Sequence, residues 1–442
     1  MKRHTMHCNE DQCRAIERAL CARDYALILG MPGTGKSSTI AVLVRILVEL
    51  GQRVLLCSHT HSAVDTIVSK LLDAPVLRLG PLSRVHPRVH ACTLTARLGT
   101  CATSEEVVQV VAEAQVVAAT CLGTSDAVLA RRAFDVCIID EASQITVPTC
   151  LGPLRLADRF VMIGDHHQLT PLVRDTDAAQ HGMSVSLFQR LCKAHPSSVA
   201  MLCTQYRMNA DIMALSNALV YDGRLVCGNE SVACAKFTMK RDACPSWLWD
   251  VLDPARPAVF VDTDAVKAVE SRADTLVENR VEAEWIVRMS DVLIQANVAA
   301  ADIGILTPYR QQAKLLRDRC ACEVLTVDQA QGRDWPVVLV SLVRSNKTHT
   351  VGELLRDQRR VNVMITRAKT KLVLVGSYST MIHGPCTEPM PALLPLLRMI
   401  QPKEPADIPV HVSPGRQRYV KKARRPTPVV TDLLNEQDCI AE

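Results

Sequence analysis

Short runs of apolar residues recur along this chain, separated by longer stretches in which apolar positions return every three or four residues. Tyr25 to Leu29, Arg53 to Cys57, Val116 to Thr120, Phe134 to Ile139 and Arg159 to Ile163 are too short and too continuously apolar for amphipathic helices. They predict strands buried on both faces, as in a parallel sheet. A second series follows at Ala258 to Val261, Ile303 to Thr307, Val324 to Val327, Val337 to Val343 and Leu372 to Val375, with helical patterns between, such as Glu278 to Asn297. Strands alternating with helices predict α/β layers with parallel sheets, and two such series predict two domains in tandem. The segment Ala194-His195-Pro196-Ser197-Ser198 has linker chemistry. The expected division is therefore 1–195, 196–400 and a tail from 401 to 442, where proline and charge replace the periodic pattern and disorder is expected.

Composition excludes little beyond wholesale disorder. Of the 442 residues, 48% are apolar and 22% charged, as in ordinary globular chains. The formal charge of +5 suits a polyanion groove without establishing one. Eighteen cysteines are scattered without any C-x-x-C pair, so reduced thiols are expected rather than a zinc or iron–sulfur ligand set. No apolar run reaches the roughly 18 residues of a membrane span. Residues 416 to 425, RQRYVKKARR, carry six basic side chains and no acidic one. They read as a nuclear-import signal, a nucleic-acid-contacting tail or a solvated tail.

Chemistry enters at GMPGTGKS, positions 30 to 37, directly after the first apolar run and before a helical stretch. A loop that wraps a triphosphate brings backbone N–H groups close to the phosphates, and Gly33 and Gly35 allow that approach where a Cβ would block it. Lys36 would reach the outer phosphates and Ser37 would ligate Mg²⁺, with the following helix adding its positive end. VCIIDE places Asp140 and Glu141 at a strand end, where an open α/β sheet meets its ligand. Asp140 would hold Mg²⁺ and Glu141 would orient and deprotonate the attacking water. Gln168, in GDHHQL at 164 to 169, would sense the terminal phosphate or that water. In the second series, Arg207 of QYRMN and Arg367 of TRAK would be supplied across a cleft to the γ-phosphate.

The ordered set GMPGTGKS, DEASQ, GDHHQL, QYRMN, VDQAQGRD and VNVMITRAK resembles superfamily 1 nucleic-acid helicases over positions from about 9 to 377. The strings SHTHSAVDTI at 58 to 67, QYRMNADIMALSNALVYDGRL at 205 to 225 and SLVRSNKTHTVGELLRDQRRVNV at 341 to 363 narrow the resemblance. They are similar to the helicase portion of the eukaryotic DNA replication ATP-dependent helicase/nuclease family. That resemblance implies two RecA-like P-loop domains in tandem with ATP in the cleft between them. By motif match, Gln12 would recognise adenine and Tyr206 would stack on it. Gly33, Thr34, Gly35, Lys36, Ser37 and Ser38 would bind the phosphates and Mg²⁺, and Asp334 would lie near the ribose. Ser58, His59, Thr60, Thr307, Arg310 and Thr326 would touch single-stranded DNA.

The implied activity is ATP-dependent 5′ to 3′ unwinding of DNA in replication, including Okazaki-flap processing, and in repair. A nuclear location is implied, with mitochondria as the alternative. Expected partners are single-stranded DNA, a single-strand-binding protein and other replication or repair factors, and no membrane. Nuclease activity and an iron–sulfur cluster are not expected in this chain. Two departures bear on coupling: Ala330 stands where the family has an aromatic residue, and Trp335-Pro336 where a charged residue is usual. Aromatics make up only 3% of the chain, so backbone contacts rather than a continuous stacking platform would hold the strand. Two other readings stay open at this point. One is an RNA helicase of the nonsense-mediated-decay type, and the other a nucleic-acid-binding, ATP-binding subunit without motor activity.

Overall fold

The structure, a computed structural model, describes residues 2–99, 103–130, 132–266, 268–273, 276–383, 393–400 and 402–403. Seven strands make the first sheet: β1 (Tyr25–Gly30), β2 (Val54–Ser58), β3 (Val76–Arg78), β4 (Val116–Thr120), β5 (Phe134–Asp140), β6 (Ala157–Gly164) and β7 (Val199–Leu202). Their order is β3-β4-β2-β5-β6-β1-β7, and every pairing is parallel. Successive side chains of one strand serve different cores, as a sheet covered on both faces requires. Ile28, Leu56 and Ile138 pack with Ile16, Ile40 and Val44 on one face. Their neighbours Leu27, Leu55 and Cys137 pack with Phe188 and Cys150 on the other.

After the short parallel pair β8 (Thr204–Gln205) and β9 (Val226–Cys227), the second sheet begins with β10 (Ala258–Asp262). A small antiparallel pair, β11 (Ser271–Ala273) and β12 (Leu276–Glu278), precedes the remaining strands. These are β13 (Ile303–Thr307), β14 (Glu323–Thr326), β15 (Trp335–Ser341), β16 (Ala368–Gly376) and β17 (Pro402–Lys403), in the order β14-β13-β15-β16-β10-β17, again parallel throughout. Two α/β layers with parallel sheets thus follow one another, as the two series of apolar runs indicate.

The changeover between sheets lies later than the linker chemistry at Pro196 suggests. Val199–Leu202, beyond that proline, pairs in parallel with β1 and completes the first sheet. A four-residue run is too short to declare its sheet by periodicity, and only the pairing assigns it. Likewise Pro402–Lys403, expected in the tail, pairs with β10 at the edge of the second sheet. The basic run at 416 to 425 lies outside the described residues. The expected helix at 278–297 is Arg280–Gln295, with the Asn279 side chain accepting from the Glu282 N–H at its start. No helix among the described residues is long and apolar enough to cross a membrane.

Strand β3 escaped the sequence reading because its last residue is charged. Arg78 is nonetheless fully buried, its Nε donating to Asp65 Oδ1 at 2.7 Å, while Asp65 Oδ2 accepts from the His86 N–H at 2.8 Å. Asp65→Ala would strand a buried guanidinium. It is expected to lower unfolding free energy by about 3–5 kcal/mol, read in urea titrations, and a loss below about 1 kcal/mol would show that Arg78 is satisfied without the carboxylate.

Candidate active site

The loop between β1 and the helix Lys36–Glu49 is shaped by two glycines in the left-handed region, Gly33 at φ 74° and Gly35 at φ 80°. Space reinforces conformation here: a Cβ at Gly33 would lie 2.7 Å from Arg207 Cβ, and one at Gly35 would lie 2.7 Å from Gln12 Nε2. The loop is thus closely approached by a residue from before the sheet and one from after it. Gly35 caps the helix without any side-chain hydrogen bond, and although the Ser38 N–H already donates to Gly35 O, those of Lys36 and Ser37 at the helix start can meet an anion. Thr34, buried, donates its hydroxyl to Met31 O at 2.7 Å and stiffens the turn. The Lys36 ammonium donates to Gly30 O at 2.8 Å, folded back along the loop. Lys70, which sequence reading passed over, donates to Ser38 Oγ at 3.2 Å.

Gln12 and Tyr206 are brought together through Asn9. Asn9 and Gln12 form a reciprocal capping box at the start of the helix Glu10–Cys21, and Asn9 Nδ2 donates to Tyr206 Oη at 3.0 Å. Gln12 Nε2 donates to Thr34 O at 3.1 Å, and the Tyr206 N–H donates to Gly33 O at 2.9 Å. Asp11 was not singled out by sequence, yet its Oδ2 accepts from the Cys203 and Thr204 N–H groups, each at 3.1 Å. It fixes the chain leading out of β7 towards Tyr206 and Arg207.

Asp140 ends β5 and Glu141 follows with φ 52°, a left-handed conformation uncommon outside glycine. Because β6 lies between β5 and β1, the GDHHQL turn leaves the sheet between the phosphate loop and the acidic pair. Asp140 is almost fully buried and its Oδ1 has no hydrogen-bond partner. Burial first, then the neighbouring Glu141, push its pKa up, opposed by Lys36. A buried carboxylate oxygen with no donor, near the Ser37 hydroxyl's loop, fits a divalent cation. Gln168, also buried, donates Nε2 to Asp165 Oδ2 at 2.7 Å.

Both arginines come from beyond the first sheet. Arg207 Nη2 pairs with Asp334 Oδ2 at 2.9 Å, and Lys369 Nζ with Asp334 Oδ1 at 2.7 Å. Burial works against the Asp334 anion, but Arg207 and Lys369 hold its pKa below the ordinary range. Arg367 is buried, donating to Val363 O, Arg333 O and Thr366 Oγ1 at 3.0–3.1 Å, and makes no ion pair among the described residues. Burial, and then Arg207, lower its pKa to about 9, leaving it cationic at neutral pH. Residues 33 to 38, Glu141, Gln168, Tyr206, Arg207, Asp334 and Arg367 all line one cleft of about 420 Å³, together with Thr66, Lys70 and Lys369. Gln12 and Asp140, both buried, are not among the residues that line it.

Two family profiles, each described as an AAA domain, match residues 7–175 in two overlapping segments and residues 183–379. The chain is 45% identical over 411 residues to the DNA replication ATP-dependent helicase/nuclease DNA2 of Homo sapiens, covering 87% of this chain and 38% of that protein. It is 45% identical to the corresponding JHS1 protein of Arabidopsis thaliana, covering 85% of this chain and 29% of that one. With the DNA2 protein of Saccharomyces cerevisiae the identity is 42%, over 84% of this chain and 26% of the relative. Over most of its length the chain is thus similar to proteins named DNA replication ATP-dependent helicase/nuclease. It spans less than two fifths of the length of these relatives. Among solved structures, the helicase nonstructural protein 10 of an arterivirus aligns with 88% of this chain and 64% of its own, at 15% identity and a TM-score of 0.41.

The six residues expected at nucleic acid fall into two groups, each at the C-terminal edge of its own sheet. Ser58 is fully buried beside Asp140 in the strand register, and its hydroxyl has no partner. His59 and Thr60 are exposed, with Thr60 Oγ1 accepting from the Ala63 N–H to cap the next helix. Thr307 and Thr326 are register partners on β13 and β14, both buried, while Arg310 is exposed and makes no side-chain bond among the described residues. Of the six, His59, Thr60 and Arg310 are exposed, and Ser58, Thr307 and Thr326 are buried. The two departures have a structural account. Trp335 is buried against Gly304, where a Cβ would come within 2.4 Å of its ring, and its backbone N–H donates to Arg367 O at 3.0 Å. Ala330 is buried in the same core.

Proposed function

We propose that this chain is an ATP-driven motor of single-stranded DNA that moves 5′ to 3′ and unwinds duplex in replication, including flap processing, and in repair. The observation that carries this reading is the cleft in which Arg207 and Arg367 face the phosphate loop and Gln168 from across the sheet boundary. Such a cleft makes hydrolysis depend on how the two α/β layers meet. Gly33, Gly35 and the helix N-terminus at Lys36 would cradle the phosphates through backbone N–H groups. Glu141 would accept the proton of the attacking water while Gln168 orients that water. Arg207 and Arg367 would stabilise charge spread over the transferring phosphoryl group, Arg207 by exchanging Asp334 for phosphate oxygens. Ser37 and Asp140 would hold Mg²⁺, which when bound neutralises charge on the phosphates. Asn9 and Gln12 set Tyr206 at the cleft mouth, where adenine would stack.

Nucleic acid would lie along the C-terminal edges of the sheets, over His59, Thr60 and Arg310, in contacts that do not read sequence. A nuclear location and association with a single-strand-binding protein accord with the replication role borne by the relatives' names. The test is ATP hydrolysis by the purified chain alone, with single-stranded DNA and with single-stranded RNA, at two salt concentrations. The expected result is stimulation by DNA that weakens as salt rises. Equal or greater stimulation by RNA would reassign the substrate, and no stimulation by either would leave a nucleotide-binding subunit rather than a motor.

A further inference from the structure

Gln168 is tied to the helix that leads into Arg367 by a dry chain of hydrogen bonds. Asp165, only 1% exposed, accepts from Gln168 Nε2 at 2.7 Å and from Tyr221 Oη at 2.5 Å, both on Oδ2, while its Oδ1 accepts from the His167 N–H at 3.0 Å. Tyr221 Oη in turn accepts from Asn362 Nδ2 at 2.8 Å. That amide also donates to His167 O at 2.9 Å, and Asn362 Oδ1 accepts from Ser216 Oγ at 2.8 Å. Asn362 sits in the helix Gln358–Ile365, and its carbonyl accepts from Thr366 Oγ1 at 2.7 Å, which accepts from Arg367 Nη2 at 3.0 Å. Asp165, Gln168, Tyr221, Asn362, Thr366 and Arg367 are all buried.

We propose that Tyr221, through the Asp165 carboxylate and the Asn362 amide, is a positioning residue that sets the helix Gln358–Ile365, and with it Arg367 just beyond its end, against Gln168, so that the rate of hydrolysis depends on its hydroxyl while nucleotide affinity does not. The inference rests on the proposed ATPase reading and deepens it. Asp165 makes no ion pair among the described residues, so its buried charge is held by neutral donors alone, and each donor matters more than it would on the surface. Two of those donors lie on one oxygen and belong to opposite sides of the cleft. A change in the Gln168 amide on meeting a terminal phosphate or water therefore alters the same acceptor that Tyr221 holds. The tyrosine ring packs edge-on to His167 at 5.5 Å and within the second core, so the hydroxyl cannot drift without moving its helix. Gln168 and Arg367 touch the reacting groups in the proposed mechanism, whereas Tyr221, Asp165 and Asn362 act only through them.

The test is the kcat and KM for ATP of the full chain with saturating single-stranded DNA. Tyr221→Phe removes one oxygen and is expected to lower kcat about tenfold with KM changed less than about twofold. In an Arg367→Lys background the same substitution should cost less than about twofold more, because the group it positions is already impaired. Full kcat in Tyr221→Phe, a loss carried by KM, or a tenfold loss that persists in the Arg367→Lys background would each overturn the proposal. Should Tyr221→Phe melt below the assay temperature, Asp165→Asn replaces the shared acceptor at constant size and is judged by the same split. A native chain without nucleotide hydrolysis would refute the ATPase reading itself. Native hydrolysis stimulated by DNA, with Tyr221→Phe indistinguishable from it, would refute only the positioning role.

Discussion

Lys36→Ala leaves a folded protein that no longer hydrolyses ATP. The Lys36 side chain lies along the phosphate loop with its ammonium on Gly30 O, and a Cβ at Gly30 would come within 2.4 Å of the lysine Cγ. Its loss removes a single neutral–charged hydrogen bond from the ligand-free fold, worth about 1–3 kcal/mol. In the ATP complex the same group would be the cation from the loop itself that meets the outer phosphates, where preorganised charge acts in a dry cleft. Turnover is expected to fall about 10³-fold, while urea unfolding shifts only slightly. Hydrolysis above a tenth of the native rate would mean that Lys70 or Lys369, which line the same cleft, supplies the charge instead. Lys369→Ala in the Lys36→Ala background would then identify the substitute.

Loss of the Arg367 charge should be still more costly to turnover, and nearly silent in nucleotide binding. Arg367 is a buried cation whose three side-chain hydrogen bonds among the described residues all go to neutral oxygens of its own side of the cleft. Such a group is held at the expense of desolvation, visible as its lowered pKa, and an incoming phosphate would relieve that cost. Arg207 differs, since Asp334 already pairs with it. Arg367→Gln retains donors for part of the local network and removes the charge. Fluorescent-ATP affinity should change less than about threefold while DNA-stimulated turnover falls about 10³ to 10⁵-fold. If Arg367→Gln kept more than a tenth of that turnover, Arg367 would not be the arginine that hydrolysis requires, and only a matching result for Arg207→Gln would show the two-layer site to be wrong. Arg367→Ala should behave alike in turnover but also lose stability, because three acceptors would be left in the core.

Much of this architecture is already legible along the chain. Each of the ten apolar runs singled out by pattern overlaps a strand of one of the two parallel sheets. The phosphate loop, the acidic pair, Gln168 and the two arginines can be named because their chemistry demands particular residue types at strand ends. Shorter elements were less visible. β3 ends on an arginine, and β7 is four residues beyond a proline, so neither carries enough period to announce its sheet. Lys70, Lys369 and Asp11 were passed over because a single charged residue in an amphipathic stretch looks like solvated surface until its neighbours are known.

Local hydrophobic period acts over a few residues, so the fold class is readable along the chain, and the proposed nucleotide chemistry is read there from the equally local steric needs of a phosphate cradle. Tertiary structure alone decided that Ser58 and Thr307 are buried, that Asp334 pairs with Arg207 and Lys369, and that Tyr221 meets Asp165 and Asn362. Those facts depend on which strand lies beside which and on groups far apart in the chain sharing one dry space, where an unpaired polar atom is costly and its partner is fixed by geometry rather than by sequence distance.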